Sequence, residues 1–277
     1  MKKLILAVAA LAALLPATLS CKKAETFKVI SYNIRLGTAN DGDNAWENRK
    51  EATTAMLVDQ DPLIFGVQEA MKNQLDYITE NCPQYACVGV CREDGIEMGD
   101  HMSIFYKKDL VELEKWGTYW LSETPEEPSK GWDAACRRTA TWALLKIKET
   151  GKEFFFVNTH LDHRGPEARK NGLALILDRI ADMNPDDWPM ILTGDLNVEP
   201  DDPCLTNLNT RMNSARAFAE KTTDKASFNG WGTAQEVIDY VYYSGFSKCL
   251  AFDVIDQTYA EKPYISDHYP VYAILQF

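Results

Sequence analysis

The feature that most limits what this chain can become is a repeated pattern: short, strongly apolar runs of strand length stop at carboxylate, carboxamide or imidazole residues. Phe27 to Ile34 carries Asn33, and Leu63 to Val67 runs into Gln68-Glu69. Phe154 to Val157 runs into Asn158-Thr159-His160, and Met190 to Leu192 leads to Asp195-Leu196-Asn197. Phe154-Phe155-Phe156-Val157 is apolar on both faces of an extended chain, so it belongs inside a layered structure and not on a half-solvated sheet. Strand ends fixed by a packed core are rigid places from which to aim polar groups, so these residues can converge on one rim.

Further strands are expected at His101 to Tyr106, Thr139 to Ile147, Val237 to Tyr243 and Pro270 to Leu275. Helical patterns lie between them. Asn44 to Asp59 carries Trp46, Ala52, Ala55, Met56 and Leu57, and Glu167 to Met183 sets Leu173, Ile176, Leu177 and Ile180 on one face. Strands mixed with a few amphipathic helices, without strict alternation, predict a sheet sandwich with helices outside. The Pro-, Glu- and Gly-containing loop from Ser122 to Cys136 is the expected mobile rim of a cleft.

Met1 to Ser20 has two lysines, an apolar run from Leu4 to Leu15 and then small residues up to Cys21, the layout of a secretory signal. The run is too short to span a bilayer. Thr18-Leu19-Ser20-Cys21 resembles a bacterial lipobox, which implies a lipidated Cys21, a tether over 21–26, and attachment to the cell envelope at the outer membrane, facing the periplasm or the surface. Residues 27–277 then read as one domain, with no linker, repeat or charge block to divide them.

The chain has 29 basic and 41 acidic residues, a net charge of −12; without Lys2 and Lys3 the balance is 27 to 41, or −14. Such acidity repels polyanions unless a bound metal or a local basic patch reverses the field, so tight nucleic-acid binding is not expected. Cys82, Cys87, Cys91, Cys136, Cys204 and Cys249 form an even set in a compartment that permits disulfides, and the sequence leaves their pairing open. Cys82, Cys87 and Cys91 lack the spacing of a zinc site.

Six short motifs stand at plausible strand ends: Ser31-Tyr32-Asn33-Ile34, Val67-Gln68-Glu69, Asn158-Thr159-His160-Leu161, Thr193-Gly194-Asp195-Leu196-Asn197, Ile238-Asp239-Tyr240-Val241 and Ser266-Asp267-His268. Any one is weak, but together and in this order they resemble the endonuclease/exonuclease/phosphatase superfamily, the DNase I-like fold, across nearly all of residues 27–277. The resemblance implies a four-layer α/β/β/α sandwich with two mixed β-sheets. It also implies a metal-dependent phosphoric ester hydrolase in which an activated water attacks phosphorus in line.

Phosphate ester hydrolysis needs a Lewis acid, an activated water and a stabilised leaving oxygen. Mg²⁺, with Mn²⁺ as a possible substitute, suits the first task because it takes hard oxygen ligands and is usually held by one or two carboxylates. Glu69 is the candidate principal ligand, with Asn33 and Asp267 contributing. Asp195 and Asn197, two apart, point the same way if extended, so that one can activate the water or help hold a second metal while the other donates to phosphate. The alternative is a turn in which they cap their own backbone.

Asp239 and His268 read as a pair in which the carboxylate fixes the imidazole tautomer. By the resemblance, His160 contacts phosphate or protonates the leaving oxygen, and Arg138 holds phosphate oxygens, a rim salt bridge being its alternative. Trp132 and Trp231 are candidates to line the pocket, and His163 is expected outside it. The expected substrate is a phosphodiester or a phosphomonoester, with a small phosphodiester, a lipid headgroup or a nucleic-acid fragment favoured. Val198-Glu199 and Tyr264-Ile265 stand where inositol polyphosphate phosphatases carry basic residues, which argues against strongly charged polyphosphates. A competing reading keeps the scaffold as a non-catalytic surface lipoprotein that binds a glycan or a protein.

Overall fold

Strands that are apolar on both faces can be satisfied only between two other layers, and the chain meets that demand with two stacked sheets and helices outside. The computed structural model describes residues 25–277; the signal-like segment and Cys21 lie outside the described residues. In chain order the strands are β1 (Thr26–Asn33), β2 (Ile64–Gln68), β3 (Tyr85–Val88), β4 (Ile104–Lys107), β5 (Val111–Trp120) and β6 (Thr139–Ile147). They continue as β7 (Glu153–His160), β8 (Met190–Asp195), β9 (Asn213–Ser214), β10 (Asp239–Ser244), β11 (Lys248–Val254) and β12 (Val271–Gln276). The main helices are α1 (Trp46–Gln60), α2 (Lys72–Asn81) and α3 (Pro166–Met183).

One sheet runs β11-β12-β1-β2-β4-β3 and the other β5-β6-β7-β8-β10-β9. Each has a parallel pair at its centre, β1 with β2 and β7 with β8, and antiparallel neighbours elsewhere. Parallel neighbours need a crossover connection, and α1 and α3 supply the two. The fold is thus an α/β/β/α sandwich of two mixed sheets, as the sequence implied.

Three apolar layers hold it together. Phe154 and Phe156 point between the sheets with Val29, Ile64 and Val241. Phe155 and Val157, on the opposite face of β7, pack with Leu173, Ile176, Leu177 and Ile180 of α3. Met56 and Leu57 of α1 and Ile78 of α2 cover Ile30, Tyr32, Phe65 and Val67 on the other side. The helical face read at i, i+3, i+4 and i+7 in α3 is therefore the buried one.

At one end the middle layer turns polar. Asn158 Oδ1 accepts from Gln68 Nε2 at 2.7 Å and from Thr193 Oγ1 at 3.1 Å, while Asn158 Nδ2 donates to the carbonyls of Val67 at 2.8 Å and Ser103 at 3.0 Å. This fully bonded amide fastens the sheets where the central strands end. It fits because Gly66 has no side chain; a Cβ there would stand 2.4 Å from Asn158 Oδ1. All six cysteines among the described residues are free thiols, so no disulfide contributes.

Candidate active site

The parallel pairs end in register, Asn33 beside Gln68 in one sheet and His160 beside Asp195 in the other. Ligands of open α/β sheets bind beyond the carboxyl ends of such strands, and here two sets of strand ends face one pocket of about 510 Å³. Arg35, Glu69 and Asn197, each just past a strand, have φ of 63°, 61° and 53° and all line it. Left-handed backbone costs a non-glycine residue about 1–2 kcal/mol, and it redirects the chain so that these side chains enter the pocket. Buried Arg49 of α1 adds support by donating to the carbonyls of Ile34 at 2.6 Å and Ile265 at 2.9 Å, which ties the end of β1 to the segment carrying Asp267 and His268.

Asp195 sits at the centre. Its Oδ2 accepts from Asn33 Nδ2 at 3.0 Å and lies 3.4 Å from His160 Nε2 and 3.7 Å from His268 Nε2. His268 Nδ1 faces Asp239 Oδ2 at 2.9 Å, and its ring packs on Phe228 with centroids 4.8 Å apart. Asp195 and Asp239 are direct neighbours across β8 and β10, so His268 is held between two buried carboxylates. Burial alone would lower its pKa; Asp239, aided by Asp195 and Asp267, outweighs burial and raises it to about 10. Burial and then the Asp239 charge push Asp195 up to about 7, against the pull of His268. His160 is held well below its ordinary value by burial and then by the Arg138 and Arg92 charges, so it is neutral near pH 7.

Glu69 Oε2 accepts from Leu36 N at 2.9 Å and its Oε1 faces Asn33 Nδ2 at 3.3 Å. Asp267 lines the same pocket, 3.4 Å from Arg35 Nη1. Its pKa is raised by burial, with the Glu69 charge adding and His268 and Arg35 opposing. Two carboxylates that repel each other beside a pocket are a donor set suited to a hard divalent cation. Asn33 differs from the expected oxygen ligand: its Oδ1 accepts from Arg35 N at 3.0 Å and its NH₂ group faces Glu69, Asp195 and His268.

Other expectations need correction. The segment after β8 is not extended through Asn197: Asp195 Oδ1 accepts from Asn197 N at 2.9 Å, and Asn197 Nδ2 donates to Leu161 O at 3.0 Å. The self-capping turn is therefore present, yet both residues still line the pocket. Trp132 and Trp231 do not line it; Trp231 packs on the Arg49 guanidinium, and the Trp132 amide donates to Glu123. The Ser122–Cys136 loop is tied down where it meets the site. Asp133 takes the amides of Glu167 and Ala168, and Asp162 takes those of Ala135 and Cys136.

Arg138 is buried, with Nε 3.5 Å from Asp162 Oδ2, Nη2 3.1 Å from His163 Nδ1, and Nη1 without a partner. His163, expected outside, lines the pocket. Cys136, Asp162 and His163 are close enough together to suggest a metal cage, but the Arg138 guanidinium already fills the cationic position between the last two. Arg35, Arg92, Asp100, Phe228 and Glu236 also line the pocket and were not singled out from the sequence. Arg35 alone had a readable signal, two residues after Asn33.

The chain matches the Endonuclease/Exonuclease/phosphatase family over residues 30–268, and it belongs to that family. Among solved structures it is similar to a family member from Bacteroides vulgatus, with 32% identity over 91% of this chain and 98% of that one and a TM-score of 0.86. It is equally similar to a mannosyl-6-phosphatase from Bacteroides thetaiotaomicron: 32% identity, 91% of this chain, 100% of that one, TM-score 0.86. Nocturnin of Drosophila melanogaster is 25% identical over 88% of this chain and 46% of its own length. The family acts hydrolytically on phosphoesters.

Proposed function

We propose that the protein is a divalent-metal-dependent phosphatase that removes phosphate from a small polyhydroxylated molecule, a sugar phosphate being the favoured class. The observation that carries the reading is the setting of Asp195: Asn33, His160 and His268 surround one of its oxygens in a pocket that also exposes Arg138 and the Glu69–Asp267 pair. The sugar phosphate is supported by three further points. A pocket of about 510 Å³ suits a molecule of that size, the net charge of −12 disfavours long polyanions, and a full-length relative at 32% identity is named as a mannosyl-6-phosphatase. The sequence left diester and monoester open, with a small phosphodiester as first choice; these three points favour the monoester.

Glu69 and Asp267 would hold Mg²⁺ or Mn²⁺, which when bound supplies Lewis-acid polarisation of the phosphoryl oxygens. Asp195, poised near neutrality, orients the attacking water and accepts its proton. Protonated His268, kept in one orientation by Asp239, donates from Nε2 to phosphate or to the departing alkoxide. Arg138 offers its unpaired Nη1 to a phosphate oxygen, and the Asn33 amide adds a neutral donor. Neutral His160 contacts phosphate and is not the acid. We further propose that residues 1–20 are a lipoprotein signal and that acylated Cys21 anchors the enzyme at the outer membrane of a bacterial cell envelope; palmitate labelling that persists in Cys21→Ser would remove this anchor.

The test compares a hexose 6-phosphate, p-nitrophenyl phosphate and bis-p-nitrophenyl phosphate with Mg²⁺, with and without EDTA. Monoester turnover that exceeds diester turnover and is abolished by EDTA is expected. Preference for the diester would reject the monoester assignment, and silence on a wide phosphoester panel would favour the binding-only scaffold.

A further inference from the structure

His163 was expected outside the site, yet its imidazole faces the pocket from the loop after β7. Its Nδ1 lies 3.1 Å from Arg138 Nη2. A guanidinium is a donor only and keeps its charge at any physiological pH, so Nδ1 must be the acceptor and the ring proton must sit on Nε2. Arg138 is itself fixed by Asp162, whose Oδ1 takes the amides of Arg164 and Gly165 and whose Oδ2 takes those of Ala135 and Cys136. The relay Asp162–Arg138–His163 therefore sets one tautomer and presents one neutral N–H to solvent.

Resting on the phosphatase reading above, we propose that His163 is a specificity residue that donates from Nε2 to a hydroxyl of the sugar being dephosphorylated. The pocket already holds cationic donors for the phosphate in Arg138 and Arg92. A neutral donor beside them pairs with a neutral oxygen without adding charge, which suits a hydroxyl better than a second phosphate. Partial burial and then the Arg138 charge lower the pKa of the ring, with the Asp162 charge opposing, so a second proton on it is disfavoured. Two kinds of substrate should feel it differently, because p-nitrophenol carries no hydroxyl beyond its ester oxygen.

The experiment measures kcat and KM of the wild type, His163→Ala and His163→Gln on a hexose 6-phosphate and on p-nitrophenyl phosphate. Losing one hydrogen bond to a neutral group corresponds to about tenfold. For His163→Ala, the ratio of hexose to aryl kcat/KM should fall by about that factor, mainly through KM. His163→Gln, whose amide can accept from Arg138 and still donate to the sugar, should recover most of the ratio. Equal losses on both substrates would assign His163 to the phosphate or to Arg138 and overturn the proposal, as would unchanged kinetics on both. A wild type active on p-nitrophenyl phosphate but inert towards hexose phosphates would overturn the sugar reading as well, so the two failures are distinguishable.

Discussion

His268 Nδ1 and Asp239 Oδ2 stand 2.9 Å apart, both buried, and the two residues come from segments joined only through the last strands of the fold. The carboxylate fixes which ring nitrogen faces Asp195 and keeps the imidazole protonated. Asp239→Asn retains the shape but removes the charge, so kcat should fall by ~10² to 10⁴, as general acid–base groups typically contribute. His268→Ala should lose a similar factor. A melting temperature near the wild type's in both variants separates this from misfolding, and an Asp239→Asn enzyme with near-normal kcat would show that the pair is structural.

The pH profile follows from the same cluster. Asp195 must be unprotonated to accept a proton, and burial with the Asp239 charge places it at about 7, so activity should fall as pH drops through that value. His268 must be protonated to donate, and Asp239 raises it to about 10 in spite of burial, so activity should fall again above that value. These groups titrate together, and the two limbs belong to the cluster. Asp239→Asn removes what raises His268, so the alkaline limb should move to lower pH; kcat/KM measured across pH 5 to 11, a range set by roughly those values, checks it. An alkaline limb unmoved in the variant would assign that limb to another group.

The interior of the fold was legible in the sequence and its borders were not. All eight inner strands fall within or beside the apolar runs, whereas the strands at the sheet edges, β3, β5, β9 and β11, were missed. An edge strand is half solvated and carries a weaker apolar signal. β5 and β11 also contain irregular register, at Leu113/Lys115 and Cys249/Ala251, which breaks the alternation of period two. α2 was missed because it buries only Gln74, Leu75 and Ile78.

Site residues followed the same division. Asn33, His160 and Asp195, at the carboxyl ends of inner strands, were found because an apolar run led to them, whereas Asp239 opens β10 and was found through its motif and its pairing with His268. Arg92, Glu236 and the pocket-facing role of His163 depend on loops, whose course is set by hydrogen bonds such as those to Asp162 and not by periodicity. The departure at Asn197 and the entry of Arg35 into the pocket reflect left-handed backbone, which residue type alone did not announce.

Cation binding should be visible without turnover. Glu69 and Asp267 repel each other across the pocket, and a divalent ion between them would stabilise the native state in proportion to its occupancy. At about a hundred times its Kd an ion adds roughly 2.7 kcal/mol, which for a domain of this size is a rise in melting temperature of roughly 5–10 °C. Saturating Mg²⁺ should produce such a rise in the wild type, and Glu69→Ala should abolish most of it. An equal rise in Glu69→Ala would place the ion elsewhere.

Gly66 and Asn158 supply the last prediction, because the glycine exists to make room for the amide. A Cβ at position 66 would lie 2.4 Å from Asn158 Oδ1 and 2.5 Å from Thr193 Oγ1, so Gly66→Ala must push the amide off the partners it bonds between the sheets. Overpacking and lost buried hydrogen bonds together should cost roughly 2–5 kcal/mol. Asn158→Ala removes the amide and leaves Gln68 and the Val67 and Ser103 carbonyls without it, at a cost of at least ~2 kcal/mol. In the double variant the new methyl group enters space the amide has vacated, so the combined loss in urea unfolding should be clearly less than the sum of the single losses. Additive losses would mean that the two positions are energetically independent, and the close approach of the sheets at Gly66 would then need another cause.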